Sequence, residues 1–312
     1  MKNIWFVLLA LIVLGSFGAY FFFYQNAPVE VEKPVTEEPM PVEPDGGIGD
    51  TPEDVVLEES AERPAQEVIG TSRGENDIMA YHYGSGETEV LFVGGIHGGY
   101  SVNTAALGFE LIDYLDENPD VVPEGVTVTV IPVANPDGLK EVVGTVGKFD
   151  LSKVTQDDEA RVAGRFNAEG VDLNRNFDCE WQAEGTWQSR SVSGGEEPFS
   201  EPEARAIRDY VESQGVDAVV VYYSQAGGVY SSNCLSGVLP ETAVLTNLYA
   251  DASGYPAYEE FDYYEITGDM VNWLAKKEIP AISVLLTNHE ETEWNKNRLG
   301  IEAIINHFQD AQ

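Results

Sequence analysis

Positive charge is what this chain has least of. Its 17 lysines and arginines face 54 aspartates and glutamates, a formal net charge of −37 over 312 residues. Such a surface repels phosphate backbones, which argues against a nucleic-acid partner. Cysteine is nearly absent: Cys179 and Cys234 are the only two, and they form no Cys-x-x-Cys pair. Histidine is confined to His82, His97, His289 and His307. There is no P-loop, no dinucleotide fingerprint, no Gly-x-Ser-x-Gly elbow and no internal repeat, so the common nucleotide-binding classes and serine α/β-hydrolases lack their signatures. The apolar share, 43%, is nevertheless that of a protein with a folded core.

What is present falls into three parts. Ile4 to Tyr24 is an almost unbroken apolar run of 21 residues, long enough to cross a bilayer as a helix. Lys2 precedes it and acidic residues follow, so the expected orientation puts the N-terminus in the cytoplasm and the rest outside. A cleaved signal peptide is the alternative, but its apolar region would be unusually long and no small-x-small site follows. Residues 1–24 are therefore read as a single-pass anchor in the cell membrane. Residues 25–66 are rich in Pro, Glu and Val without helical or strand periodicity, the composition of an extended acidic tether that cannot offset its ordering entropy. Residues 67–312 carry the periodic patterns of a folded domain.

In that domain strands and helices alternate. Val90 to Val93 reads as a buried strand, followed by a helix over about Asn103 to Asp116 with Leu107, Leu111, Ile112 and Leu115 on one face. Val126 to Val133 alternates with period two and ends at the turn Asn135-Pro136-Asp137-Gly138. Ser200-Glu201-Pro202-Glu203 has the spacing of a capping box at a helix start. Val216 to Tyr223 and Ala281 to Leu286 read as further strands. Thr267 is a candidate cap for a helix through Met270 and Leu274, and a last helix covers about Lys296 to Phe308. This order predicts an α/β domain with a mainly parallel sheet covered on both faces, its ligand beyond the carboxyl ends of the strands. His97, in the glycine-rich turn Gly94-Gly95-Ile96-His97-Gly98-Gly99, and Tyr223 both sit at such ends.

Five stretches then combine in order. They are Asn135-Pro136-Asp137-Gly138; Arg165-Phe166-Asn167; Gly170-Val171-Asp172-Leu173-Asn174-Arg175-Asn176-Phe177; Pro198 to Glu203; and Tyr264 four residues before Gly268, with Trp273 beyond. In this arrangement the chain resembles the zinc carboxypeptidase family of the carboxypeptidase A type, from about Glu67 to His307. The resemblance implies a three-layer α/β sandwich around a central mixed, mainly parallel, eight-stranded sheet. It also implies a zinc ion held by two His and one Glu, a further Glu as general base, and Arg and Asn residues that clamp a terminal carboxylate.

Residue by residue, His97 matches the first metal ligand. The Glu ligand position falls on Tyr100 or Ser101, the second His position on Tyr223, and the general-base position on Leu285. Loss of two ligands corresponds to about 6–8 kcal/mol of zinc affinity, and neither a phenol nor a serine replaces them at neutral pH. His97 thus reads as a remnant, with His289 as the one histidine placed to substitute. Arg165, Asn174, Arg175 and Tyr264 occupy the positions of substrate-contacting residues. The rival reading pairs Arg175 with a structural acid, Asp172 or Glu169. In an exported domain, Cys179 and Cys234 are expected to form a disulfide.

Three functions stay open on the sequence. The first is a membrane-anchored, extracytoplasmic domain that binds peptide C-termini or cell-wall peptides through their free carboxylate without cleaving them or binding a metal. The second is an active zinc carboxypeptidase with a rearranged metal site, and the third an exported structural scaffold.

Overall fold

The computed structural model describes residues 63–155 and 157–310. The expected anchor at residues 4–24, and the linker up to residue 62, lie outside the described residues. Among the described residues no helix is long and apolar enough to cross a membrane.

The centre of the fold is made by segments whose residues are buried on both sides. Strand β3 (Thr88–Val93), β4 (Val126–Ile131), β7 (Ala218–Ser224) and β10 (Ala281–Leu286) are rich in Val, Ile and Leu, and nearly every residue in them is buried. Continuous apolar strands of this kind belong in a parallel sheet with both faces covered. The four lie side by side in parallel, in the order β4-β3-β7-β10. Antiparallel neighbours close the flanks: β1 (Gln66–Thr71) and β2 (Asp77–Gly84) beside β4, and β8 (Gly228–Ser231) beside β10, with the short β9 (Ala257–Tyr258) parallel to β8. The result is an eight-stranded mixed sheet ordered β1-β2-β4-β3-β7-β10-β8-β9, with parallel pairs at its heart, and a separate hairpin of β5 (Glu184–Trp187) and β6 (Arg190–Ser193).

Alternation along the strands feeds two cores. Val90, Phe92, Val220, Tyr222, Ile282 and Val284 face helices α1 (Val102–Glu117), α5 (Pro240–Ser253) and α7 (Trp294–His307). Leu91, Val93, Val219, Val221, Tyr223 and Leu285 face α4 (Pro202–Gln214) and α6 (Met270–Lys276). Each fully buried Leu, Phe or Val contributes about 1.5–3 kcal/mol relative to exposure. Three layers, helix–sheet–helix, follow directly from a sheet apolar on both faces.

Local chemistry corrects several expectations. Asn135-Pro136-Asp137-Gly138 is not only the end of a strand: it opens helix α2 (Pro136–Val143), which the short α3 (Asp158–Ala163) follows in the chain, with Asn135 accepting a hydrogen bond from the Gly138 amide at 2.9 Å and Pro136 in the first turn. Ser200 does not cap α4, because its hydroxyl donates to Glu201 and accepts from Asn176. Glu201 holds the cap position without a side-chain cap bond, and Gly215 in the left-handed conformation (φ 69°) ends the helix. Asp269, not Thr267, stands at the start of α6. His82 lies inside β2, where its Nδ1 meets Thr129 Oγ1 at 3.0 Å. Helix α5, the edge strands and the β5–β6 hairpin carried too little periodicity to be read from sequence. Cys179 and Cys234 are bonded to each other, across a separation of 55 residues.

Glu203, buried in α4, supplies a stability test. Burial pushes its carboxyl up to about 7, against hydrogen bonds from the Arg73 amide (2.9 Å) and Asn167 Nδ2 (3.3 Å), with Asp137 adding to the push. Between the ordinary 4.5 and about 7 the folded state holds a proton that the unfolded state has lost. Stability from this group is therefore full below pH 4.5 and declines as pH rises toward 7, by about 3 kcal/mol. Denaturation midpoints of wild type and Glu203→Gln at pH 4.5 and 8 check this. The variant gains on wild type across the window; parallel curves would show that Glu203 titrates normally.

Candidate functional site

The chain folds a glycine-rich turn over the carboxyl end of β3. The Ala134 and Asn135 amides donate to the carbonyls of Gly94 and Gly95 at 3.0 Å, locking the turn to the segment after β4. A Cβ on Gly98 (φ 42°) would come within 2.8 Å of the backbone of Gly138 and Gly164, so only glycine permits this approach. The turn presents His97, which is buried with neither ring nitrogen hydrogen-bonded. Its Nε2 is 3.8 Å from Asp172 Oδ1. Burial, reinforced by the charges of Arg165, Arg175 and His289, holds its pKa well below the ordinary value, so the ring is neutral.

Tyr223 and Leu285 are register partners on β7 and β10. Together with His97, Tyr100, Arg165, Asn174, Arg175 and Tyr264 they line one cavity of about 340 Å³. The sequence-selected positions thus meet at the carboxyl ends of adjacent parallel strands, except Ser101. That residue is buried at the start of α1, with its hydroxyl unpartnered and away from the cavity lining. The Tyr223 ring lies 5.6 Å from His97 between centroids, and its hydroxyl donates to Asn174 Oδ1 at 3.1 Å. Burial, and secondly Asp269, raise its pKa well above the ordinary value, so the phenol stays protonated.

The two arginines differ in kind. Arg165 donates through Nε (2.9 Å) and Nη2 (2.8 Å) to Asp172 Oδ2, and its guanidinium lies 4.3 Å from the centroid of Trp187. Asp172 therefore belongs to Arg165, which removes it as the structural partner weighed for Arg175. Arg175 is 1% exposed. Its Nη1 donates to the Thr267 carbonyl (3.3 Å), its Nη2 to the Thr186 carbonyl (3.0 Å), and its Nε has no acceptor. Five N–H donors are available on a guanidinium, and among the described residues no carboxylate, Glu169 included, forms an ion pair with Arg175. Tyr264, half-buried, lies over it at 5.8 Å. Burial raises the Tyr264 pKa, so it too is a neutral donor.

His289 stands beside the cavity, its ring 4.7 Å from Tyr100. Its Nδ1 is 2.8 Å from Ser224 Oγ. The geometry suggests a Ser–His dyad, but the Ser224 hydroxyl donates to Asn103 Oδ1 (3.1 Å), an oxygen left free because Asn103 Nδ2 donates to the carbonyls of Asn288 and Glu291. The proton on Nδ1 then donates to serine, and the pair fixes a loop rather than activating a nucleophile. Burial lowers the His289 pKa to about 4. Sequence reasoning missed Trp187, on a hairpin without period, and Asp269, whose only signal was a carboxylate directly after Gly268.

The family described as zinc carboxypeptidase matches residues 56–277. A gamma-D-glutamyl-L-diamino acid endopeptidase of Lysinibacillus sphaericus is 26% identical over 44% of this chain and 37% of its own length. An inactive metallocarboxypeptidase of Talaromyces marneffei is 26% identical over 47% of this chain and 26% of its own. The chain thus spans well under half the length of these curated relatives. Among solved structures, the murein-tripeptide amidase MpaA of Escherichia coli O157 superposes with a TM-score of 0.54 at 18% identity, over 80% of this chain and 94% of that one. Bovine thrombin-activatable fibrinolysis inhibitor does so with a TM-score of 0.61 at 16% identity, over 78% and 88%. These likenesses share the fold derived above from the strand pattern, and the match over residues 56–277 assigns the rest: the chain belongs to the zinc carboxypeptidase family.

Proposed function

We propose that this protein binds the free C-terminal carboxylate of a peptide, of ordinary or cell-wall type, and does not cleave it. One observation carries the reading: Arg175 is a buried guanidinium with donors to spare and, among the described residues, no carboxylate at ion-pair distance, Asp269 acting on it only from farther off. A buried unpaired cation is costly, and a ligand carboxylate is the group whose geometry matches its fork. Asn174 and the neutral Tyr264 add polar contacts beside it. Arg165, held by Asp172, contributes its remaining donors and the shape of the wall.

On this reading zinc is not bound. The donor set around His97 argues against it: Tyr100 and Tyr223 are phenols, Tyr223 held protonated, Leu285 has no donor, and the charges of Arg165 and Arg175 oppose a further cation. No base stands at Leu285 to activate water. The domain would work outside the cytoplasm, residues 67–312 held by the 25–66 tether to an anchor at residues 1–24.

A working metallopeptidase is the second reading, supported by family membership and by the unpartnered His97 ring. Metal content of the purified full chain, with turnover on free-C-terminus peptides, separates the two. We expect substoichiometric zinc and no turnover; one zinc per chain with hydrolysis would end the first reading. Titration of one peptide as acid and as amide tests the carboxylate itself. The acid should bind at least tenfold tighter, and equal binding would remove Arg175 as a carboxylate site.

A further inference from the structure

Away from the cavity, at the amino end of β3, lies a buried polar cluster that the peptide site does not use. Glu89, near the start of that strand, is 3% exposed. Its Oε1 accepts from the hydroxyls of Tyr210 on α4 (2.5 Å) and Thr129 on β4 (2.7 Å). Its Oε2 accepts from Arg63 Nη1 at 2.8 Å. Arg63 lies just ahead of β1, and its Nη2 donates to Gln214 at the end of α4. A backbone bond from the His82 amide to the Ala65 carbonyl, 2.9 Å, holds the same stretch of chain.

His82 on β2 joins the cluster, and its neighbours fix its tautomer. Both hydroxyls give their protons to Glu89, because a charged acceptor outcompetes a neutral imidazole. Thr129 Oγ1, 3.0 Å from His82 Nδ1, must then accept, so Nδ1 carries the ring proton. Nε2 is left with a bare lone pair, buried, without a hydrogen-bond donor and 3.3 Å from Glu67 Oε1. Two electron-rich atoms face each other where one added proton would make a salt bridge. Arg63 opposes that proton. Burial first, and the charge of Arg63 second, hold the His82 pKa below its ordinary 6.5, while Glu67 and Glu89 pull it up. The titratable and charged groups facing the ring are thus Arg63 ahead of β1, Glu67 on β1, Glu89 on β3 and Tyr210 on α4, whose ring lies parallel at 6.1 Å. The influence is reciprocal: a cation that opposes protonation of His82 is itself loosened when His82 is protonated. Glu67 strengthens the coupling, since its charge acts on Arg63 as well as on His82.

We propose that Arg63, Glu89, His82 and Glu67 form a proton-operated latch on the segment that enters β1. With His82 neutral, Arg63 is seated on Glu89 and the segment is fixed. A proton on Nε2 closes the His82–Glu67 pair, places a second cation beside Arg63, and releases it. Because the folded state depresses His82, the stability that the latch contributes is full above pH 6.5 and is lost as pH falls. The entry to the domain is closed at neutral pH and open in mild acid.

Hydrogen exchange of the full chain, read by mass over residues 65–71 and corrected for the intrinsic pH dependence of exchange, tests the latch. Protection of these amides in wild type should fall about tenfold between pH 7.5 and 5.5, while that of β7 stays constant. His82→Gln should keep the protection of pH 7.5 at both values. Glu203 titrates in the same window but is present in both chains, so a difference between them belongs to His82. Arg63→Gln should lack the protection at both values, and NMR titration of the same variant should show the His82 pKa raised. Equal protection of wild type at the two pH values overturns the latch, as does a fall of the same size in His82→Gln. Should His82→Gln misfold, Arg63→Gln decides: an unchanged His82 pKa there removes the coupling and the latch with it.

Discussion

Arg175→Met is expected to lower affinity for a free-carboxylate peptide by about a hundredfold while leaving folding stability within about 2 kcal/mol of wild type. The two halves follow from the same geometry. Hydrogen bonds between a guanidinium and a carboxylate contribute about 1.5–3 kcal/mol each, and losing a bidentate pair removes on the order of two decades. Removing one member of a buried ion pair would instead cost about 3–5 kcal/mol of stability. Among the described residues Arg175 has no carboxylate at ion-pair distance, and it donates to the carbonyls of Thr186 and Thr267. Their loss costs about 1 kcal/mol apiece, offset by no longer burying an uncompensated charge. Peptide titration and chemical denaturation of the same variant check both halves. Loss of several kcal/mol of stability would make Arg175 a structural cation, and unchanged affinity would place the carboxylate elsewhere.

The second large effect concerns the covalent tie. Cys179 follows the segment that carries Arg175, and Cys234 follows β8. Their neighbours Glu180 and Asn233 line a second cavity, of about 380 Å³. Closing a loop of 55 residues restricts the unfolded chain by about 4 kcal/mol in the loop-entropy account. The Cys179→Ala/Cys234→Ala double variant should therefore melt roughly 8–16 °C lower. A melting point within about 3 °C of wild type would mean that the unfolded chain is already restricted by other structure. Adding reductant to wild type should reproduce the double variant.

The legible parts of this protein were those written in period and order. The central strands announce themselves because burial on both faces leaves few polar positions in them, as in Val90–Val93 and Ala281–Leu286, where Ser283 is the exception. The meeting of His97, Tyr223 and Leu285 on one cavity follows from their places at strand ends once a parallel sheet is granted. What could not be read depends on tertiary choices. Asp172 lies three residues from Arg175 and seven from Arg165, and only the folded chain gives it to Arg165. Ser200 has the spacing of a cap but spends its hydroxyl on Glu201 and Asn176. Trp187 and Asp269 have no periodic signature, being placed by a hairpin and by the start of a short helix.

The sheet order has a kinetic consequence. Its middle strands are contributed by residues 88–93, 218–224 and 281–286, so the adjacent pairs β3–β7 and β7–β10 join points far apart in the chain. High contact order of this kind makes folding slow. It also means that a nascent chain ending before Ala281 leaves one side of β7 bare, along with a wall of the cavity. The ligand pocket is thus among the last features this polypeptide can acquire, and premature termination before Ala281 yields an aggregation-prone sheet edge rather than a weaker binder.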